Sequence, residues 1–324
     1  MPVSSLNSAL ACKRDENKSD NFSQRAEVIS ALASRVKGRT FVTTGANAQC
    51  LGGQIATTLA SGSPAQIILA SRTANNVQPV LDSIKAIDSS IKTTYVPLDL
   101  TDRDSVKNAA ETILATAPKI DVLINNAGIM AVLDYTKDKH GVELQFSANH
   151  VGPFLFTNLL VTALEAAGPG SRVVNVSSQA YRCSPVQFED WNFSDGKTYD
   201  IWTSYGQSKT ANILFAVGLT KRLSSRGITA SALHPGLIMG TSLGTHLDQS
   251  AFANVDEITP QTKTIEQGAA TPLMAALDPE IVSKSPAYIT NAKGEKPYEF
   301  ADDAELADKL WVLSEEILGQ KFSY

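Results

Sequence analysis

Six short apolar runs, with five longer stretches of helical periodicity between them, organise the chain from residue 39 onward. The runs are RTFVTTG (39–45), AQIILAS (65–71), TTYVPLDL (93–100), IDVLINNAG (120–128), SRVVNVSS (171–178) and GITASALHPG (227–236). The helical stretches cover 52–61, 74–86, 102–116, 141–166 and 204–225. Runs apolar on both faces and separated by helices specify a parallel sheet covered on two sides. The expectation is therefore α/β: a single doubly wound parallel sheet with helices on both faces. A later run, AYITN (287–291), adds an edge strand.

Residues 1–22 are polar and are expected to form a flexible N-terminal segment, leaving 23–324 as one domain. Val28, Leu32 and Val36 make one helical stripe ahead of the first strand, with Gly38 as its stop. A hydrophobic share of 43% with 19% charged residues excludes disorder and coiled coil, and a net charge of −5 gives no basic footprint for nucleic acid. No apolar run approaches the roughly 18–20 residues of a membrane span. The start has no basic region leading into an apolar one, so a secretory signal is not expected. Cys12, Cys50 and Cys183 are too scattered for a disulfide framework or a metal site, and His140, His150 and His246 show no metal spacing. A cytoplasmic protein without metal is expected.

In such sheets, ligands sit beyond the carboxyl ends of the strands, where the strand order reverses. At the first strand end, TTGANAQCLGGQIATTLA (43–60) places Gly45 at the turn and Gly52 at the helix start. A tight turn, close backbone approach and a helix N-terminus together suit a pyrophosphate, although any strand–turn–helix can use two glycines. The second strand ends in LASRT, with Ser71 and Arg72 where an acidic residue would read a ribose 2′-hydroxyl. An arginine there suits a 2′-phosphate and so NADP(H); the alternative is a solvated surface arginine. Asp99 either accepts from an adenine amino group or caps the helix starting near Thr101 or Asp102.

INNAG (124–128), NVSS (175–178) and YGQSK (205–209) follow the fourth and fifth strands. Tyr205 and Lys209 share one helix face, where an ammonium favours phenolate and lowers the phenol pKa toward neutrality. Tyr135 and Lys139 repeat the spacing in the charged stretch LDYTKDKHG, which reads as a loop; Tyr205 opens a strongly periodic helix and is the better candidate.

Gly45…Gly52, Asp99, NNAG, NHVG, VVNVSS, YGQSK and HPG, in this order over residues 38–236, resemble the short-chain dehydrogenase/reductase superfamily. IEQGAATPLMAALDPE and ADDAELADKLWVLSEEILG resemble its retinol-dehydrogenase-like branch, and LASGSPAQIILASRT that branch's fungal members. The resemblance implies a Rossmann-like sheet of order 3-2-1-4-5-6-7. It also implies an NADP-dependent reductase interconverting a carbonyl and an alcohol. Tyr205 would be general acid or base, Lys209 would lower its pKa and hold the nicotinamide ribose, Ser178 would polarise the carbonyl, and Asn149 would hold a relay water. Gly45, Asn47, Cys50, Leu51, Gly52, Ser71, Arg72, Asp99, Leu100, Asn126, Ala127, Gly128, Pro235, Gly236, Ile238 and Thr241 would join Tyr205 and Lys209 in binding the cofactor. Residue by residue, other readings stand: Asn149 as a backbone-bonding residue, Ser177 and Ser178 as a turn, His234 as structural. Relatives pair through helices matching 141–166 and 204–225, so a homodimer is possible.

Tyr181, Phe188, Trp191, Phe193, Tyr199 and Trp202 crowd the insertion 179–203, either as pocket lining or as a satellite core. The stretch 237–265 reads as a lid over a bulky apolar or aromatic ketone, aldehyde or alcohol. A non-catalytic nucleotide sensor and a lyase or epimerase on the same scaffold are the rival functions. The loop interval Gly45–Gly52 is one residue longer than the family's, with Cys50 in place of the middle glycine. The longer loop is expected to follow a wider path needing no glycine there, with Gly53 merely a small helix-start residue.

Overall fold

The computed structural model describes residues 25–238, 240–244, 247 and 262–324. The expected N-terminal segment 1–22 and most of the expected lid lie outside them. Eight strands form one sheet: β1 (Thr40–Thr44), β2 (Gln66–Ser71), β3 (Lys92–Pro97), β4 (Val122–Asn125), β5 (Ser171–Val176), β6 (Ile228–His234), β9 (Ala287–Thr290) and β10 (Lys293–Glu295). Short strands β7 (Leu237–Ile238) and β8 (Thr262–Lys263) pair in parallel by themselves. The order β10-β9-β6-β5-β4-β1-β2-β3 has the expected sequence, with AYITN as β9. That strand is not the edge, because the antiparallel β10 folds back onto it.

The strand chemistry follows position. Every residue of β2 and β5 is buried, as suits Ile, Leu and Val runs packed on both faces. The opposite edge, β3, is half-buried along its middle and carries exposed Lys92 and Pro97, residues that discourage pairing with other chains.

Helices α1 (Arg25–Leu32), α2 (Leu51–Ala60), α3 (Ala74–Ile87), α4 (Arg103–Thr116), α5 (Gly152–Leu159), α6 (Val161–Ala166), α7 (Ile201–Leu223), α8 (Ile265–Leu277) and α9 (Ala304–Leu318) cover the sheet. Asp200 caps α7, its carboxylate accepting from Thr203 N at 2.8 Å, so the helix starts before the expected residue 204. Tyr205 consequently sits in an established turn instead of a frayed end.

From Ser204 to Leu219, α7 is buried all round within a single chain. The cover is α9: Trp311 lies against Gly218, and the Arg222 guanidinium stacks 4.1 Å from the Trp311 ring centroid. Asp308 holds Arg222 at 3.0 Å. Burial of a large apolar side chain such as Leu310 contributes roughly 1.5–3 kcal/mol. The chain's own C-terminal helix therefore occupies the face of α7 around Gly218 and Arg222.

Candidate active site

The strand order reverses between β1 and β4, which pair with each other while their helices leave on opposite faces. The loops beyond these two strands are tied together. Thr44 Oγ1 accepts from the N–H groups of Asn126 and Ala127, each at 3.0 Å, and Asn126 Nδ2 donates to Thr44 O at 2.9 Å. Asn125 Nδ2 bridges to Thr157 Oγ1 and Asn175 Oδ1, both at 2.9 Å. Both asparagines of NNAG thus act first as braces for the strand ends.

Gly45 has φ +70°, and a Cβ there would fall 2.8 Å from Ala127 Cα. A Cβ on Gly52 would come within 2.6 Å of Gly45 O and Asn126 Nδ2. At Gly53 it would lie 2.2 Å from Asn47 O. Gly53 is therefore a required glycine, correcting its reading as a mere small residue. Its backbone takes the close contact with the loop. Cys50 is extended (φ −128°) as the residue before α2, so the lengthened loop needs no left-handed residue at that position, as expected.

Within the loop, Ala48 N donates to Asn76 O (3.2 Å) and Cys50 N to Asn47 O (3.1 Å). The N–H groups left for an anion are those of the first turn of α2, which lack intrahelical partners. Asn47 Oδ1 accepts from Ser71 Oγ at 3.0 Å, tying the loop to the end of β2. Beside it Arg72 is exposed, without an ion pair among the described residues. Asp99 Oδ1 accepts from Thr101 N (2.9 Å) and Thr101 Oγ1 (2.7 Å), while Asp102 caps α4. The Leu100 carbonyl lies where a Cβ on Gly152 would intrude, so that glycine lets α5 approach.

The reactive side chains lie beyond β5. Ser177 Oγ donates to Lys209 O at 2.7 Å, and Ser178 Oγ accepts from Ala180 N at 3.1 Å while favouring the ionised form of the Tyr205 phenol. Lys209 Nζ sits 5.5 Å from the Tyr205 ring centroid and donates to Val176 O at 3.2 Å. Gly128 leaves room for Asn149 Oδ1 and Lys209 Nζ, which would lie 3.0 and 3.3 Å from a Cβ there.

Burial dominates the electrostatics. It raises the Tyr205 phenol to about 12, against the lowering influence of nearby Ser178. It depresses the Lys209 ammonium to about 8. Desolvation is the largest influence on the phenol and disfavours phenolate. The resting pair at neutral pH is a neutral phenol beside an ammonium.

Asn149 lies in a π-helical turn, Ser147–Val151, and is buried. Its Oδ1 accepts from Ile129 N (2.8 Å), and Nδ2 donates to Ile129 O and Ser208 Oγ, both at 2.9 Å. Both amide hydrogens are spent, so a water held by this side chain has only a lone pair of Oδ1 to bind. His234 Nδ1 accepts from Gln179 N at 3.1 Å, and burial pulls the ring down to about 3. It is a neutral brace for the Ser178 turn.

Tyr135 and Lys139 part company: the phenol donates to Asn192 O at 2.9 Å, while Lys139 pairs with Asp102 at 2.6 Å. Of the aromatic insertion, Tyr181 and Phe193 are fully buried, and Phe188 and Trp191 pack on the cluster around Phe146. Tyr199 donates to Val132 O at 2.6 Å. Trp202 alone of the six faces Tyr205, edge-on at 6.4 Å. The insertion is mainly core. Gly236 (φ +102°) lies on the Lys263 side chain, Pro235 precedes it, and Ile238 packs on Gly268. Thr241 is half-buried, and neighbouring Ser242 Oγ lies 2.9 Å from Cys50 Sγ, joining the base of the expected lid to the glycine loop.

Thr44 and Ser208 complete the site and were not singled out by the sequence, and Gly53 was read only as a small helix-start residue. The paired glycines were a visible signal for Gly53, whereas Ser208 only shares a helix face with Tyr205.

A doubly wound sheet with a glycine loop at its switch point and this cluster beyond β5 is the scaffold of a dinucleotide-dependent oxidoreductase. Residues 39–190 match the short chain dehydrogenase family. Over 290 residues, 88% of this chain and 86% of the relative, the sequence is 34% identical to retinol dehydrogenase 13 of Homo sapiens. It is 38% identical to retinol dehydrogenase 14 of Mus musculus over 225 residues, 68% of this chain and 66% of the relative. A crystal structure of an uncharacterized protein from Mycobacterium paratuberculosis superposes with TM-score 0.70 at 32% identity, covering 89% of this chain and 96% of that one. The chain belongs to the short-chain dehydrogenase/reductase family, in its retinol-dehydrogenase-like branch. It is an oxidoreductase of a family that binds a nicotinamide cofactor.

Proposed function

We propose that the protein is an NADP(H)-dependent reductase interconverting a bulky apolar or aromatic ketone or aldehyde with its alcohol. The observation that carries this reading is the Ser178–Tyr205–Lys209 cluster, with Lys209 Nζ 5.5 Å from the Tyr205 ring centroid and the phenol held protonated by burial. Supporting the cofactor choice, Arg72 stands exposed beside a loop whose Gly45, Gly52 and Gly53 positions tolerate no Cβ. That crowding pulls the backbone tight at the N-terminus of α2, where first-turn N–H groups suit a pyrophosphate. Arg72, reinforced by Ser71 and Asn47, would hold the 2′-phosphate; Lys209 retains donors for the nicotinamide ribose.

When bound, the nicotinamide supplies a hydride to the carbonyl carbon or accepts one from the alcohol. The chain's own part is proton handling and placement. Tyr205 Oη gives its proton to the substrate oxygen as negative charge develops there, and Ser178 Oγ donates to the same oxygen. The ammonium of Lys209 stabilises the phenolate left behind, which the buried site otherwise disfavours. Asn149, through its three bonds, fixes the Ile129 backbone and Ser208 around this centre. Trp202 offers an aromatic edge to an apolar substrate beside Tyr205.

The test is a screen of aromatic and long-chain aliphatic ketones and aldehydes, following loss of NADPH absorbance. Turnover that requires Tyr205 supports the reading; absence of turnover with tight NADPH binding would instead favour a nucleotide sensor.

A further inference from the structure

We infer that the C-terminal helix α9 supports the active site from behind, through a hydrogen bond between Ser314 and His150 that fixes the π-helical turn carrying Asn149. His150 and Ser314 are then positioning residues; this rests on the proposed reductase reading for its consequence in turnover, although not for the anchor itself.

His150 follows Asn149 directly and is fully buried. Its Nε2 lies 2.8 Å from Ser314 Oγ, across 164 residues of sequence. Ser314 is equally buried, and its hydroxyl donates to Leu310 O at 2.7 Å. The serine oxygen therefore accepts from the ring, which fixes the Nε2–H tautomer. Phe146, Phe154 and Phe215 surround the imidazole with centroids at 5.2, 5.9 and 5.8 Å. The other nitrogen, Nδ1, is buried with no partner among the described residues. A ring that served only to fill space would do so at lower cost as phenylalanine, because an unmade buried hydrogen bond is unfavourable.

Consecutive residues of a helical turn point in different directions. Asn149 is tied toward Ile129 and Ser208, and His150 is tied away from them toward α9. Two anchors in different directions define the rotation of the turn. A π turn is uncommon and holds one residue more than an α turn, so relaxation to α geometry would rotate Asn149 away from Ile129. The Ser314–His150 bond opposes that relaxation. Through it, the helix that covers α7 also sets the position of an active-site side chain.

The experiment compares the full-length protein with Ser314→Ala, His150→Phe and the double variant. Amide hydrogen exchange is measured over residues 144–159, alongside steady-state NADPH-dependent reduction of the best carbonyl from the screen. Each single variant is expected to speed exchange in that segment. Each is also expected to lower kcat about tenfold, as misplacement of a supporting group does, with KM for NADPH within about twofold. Because both substitutions break the same bond, the double variant is expected to be no worse than the worse single one. Unchanged exchange, unchanged kcat in an active enzyme, or fully additive losses would each overturn the inference, the last by assigning the effects to separate packing defects. Should Ser314→Ala fail to fold, His150→Phe, which preserves ring packing, decides by itself. A wild-type protein that turns over no carbonyl defeats the reductase reading, while the exchange measurement still judges the anchor.

Discussion

Asn149 Nδ2 donates to Ser208 Oγ at 2.9 Å, and that hydroxyl donates in turn to Tyr205 O at 2.7 Å. The π turn and the helix bearing the reactive phenol are thus one hydrogen-bonded unit, buried throughout. Ser208→Ala would leave an amide hydrogen of Asn149 without its partner. The expected result is a loss of about 1–3 kcal/mol in stability, with a drop in kcat larger than any change in KM. Denaturant unfolding and steady-state kinetics on the same preparation check it.

Tyr205→Phe removes the proton to be transferred and keeps the ring. Reduction is expected to fall roughly 10²–10⁴-fold, the usual range for a general acid, with the melting temperature nearly unchanged. A variant that still consumed NADPH at the wild-type rate would take the phenol out of the mechanism.

Arg72 is exposed and close to the Asn47–Ser71 contact. Arg72→Glu replaces a 2′-phosphate donor with a group that repels phosphate and accepts from a 2′-hydroxyl. The ratio of kcat/KM for NADPH over NADH is expected to reverse. An unchanged ratio would place the cofactor discrimination elsewhere.

Lys209 and Tyr205 give opposite pH slopes for rate and stability. Lys209 loses its proton at about 8 in the folded chain, against about 10.4 when unfolded. Reduction is expected to decline as pH rises through 8, because the charge supporting phenolate disappears. Stability behaves differently. Between 8 and about 10 the unfolded chain binds the lysine proton that the folded chain has released, so this group makes stability rise with pH. Above about 10 the sign turns: Tyr205 keeps its proton to about 12 when folded, and the unfolded chain releases it first. Rate and chemical denaturation profiles over this range test both signs.

Buried α7 predicts a solution mass of one chain, 34.6 kDa. Removing residues 303–324 strips Leu310 and Trp311 from that helix and exposes an apolar face, so self-association is expected. Light scattering after size exclusion distinguishes the two. A full-length dimer would mean that subunits meet through another surface.

The alternation of strands and helices could be read directly, because residues apolar on both faces leave a chain few ways to be covered except a doubly wound sheet. Strand ends carry the same local logic: Gly45 follows β1, Ser178 follows β5, and Tyr205 and Lys209 lie on the periodic helix α7. The required glycine at 53 was also within reach, as one of an adjacent pair. Other features depend on partners far away in the chain. Asn149 is tied to a loop 20 residues away, and His150 to a helix 164 residues away; no periodicity encodes such pairings. The same holds for the aromatic insertion, whose composition fits a pocket or a core equally, until packing buries Tyr181 and Phe193 and leaves Trp202 beside Tyr205. Ionisation belongs with these, since the Tyr–Lys spacing predicts attraction between charges, whereas the depth at which tertiary packing buries the pair makes desolvation the largest influence on the phenol. Sequence by itself determined the sheet and the family to which the motifs at its strand ends belong. Tertiary structure decided which protonation state that chemistry starts from and which helix covers it, because burial and long-range contacts exist only once the whole chain has folded.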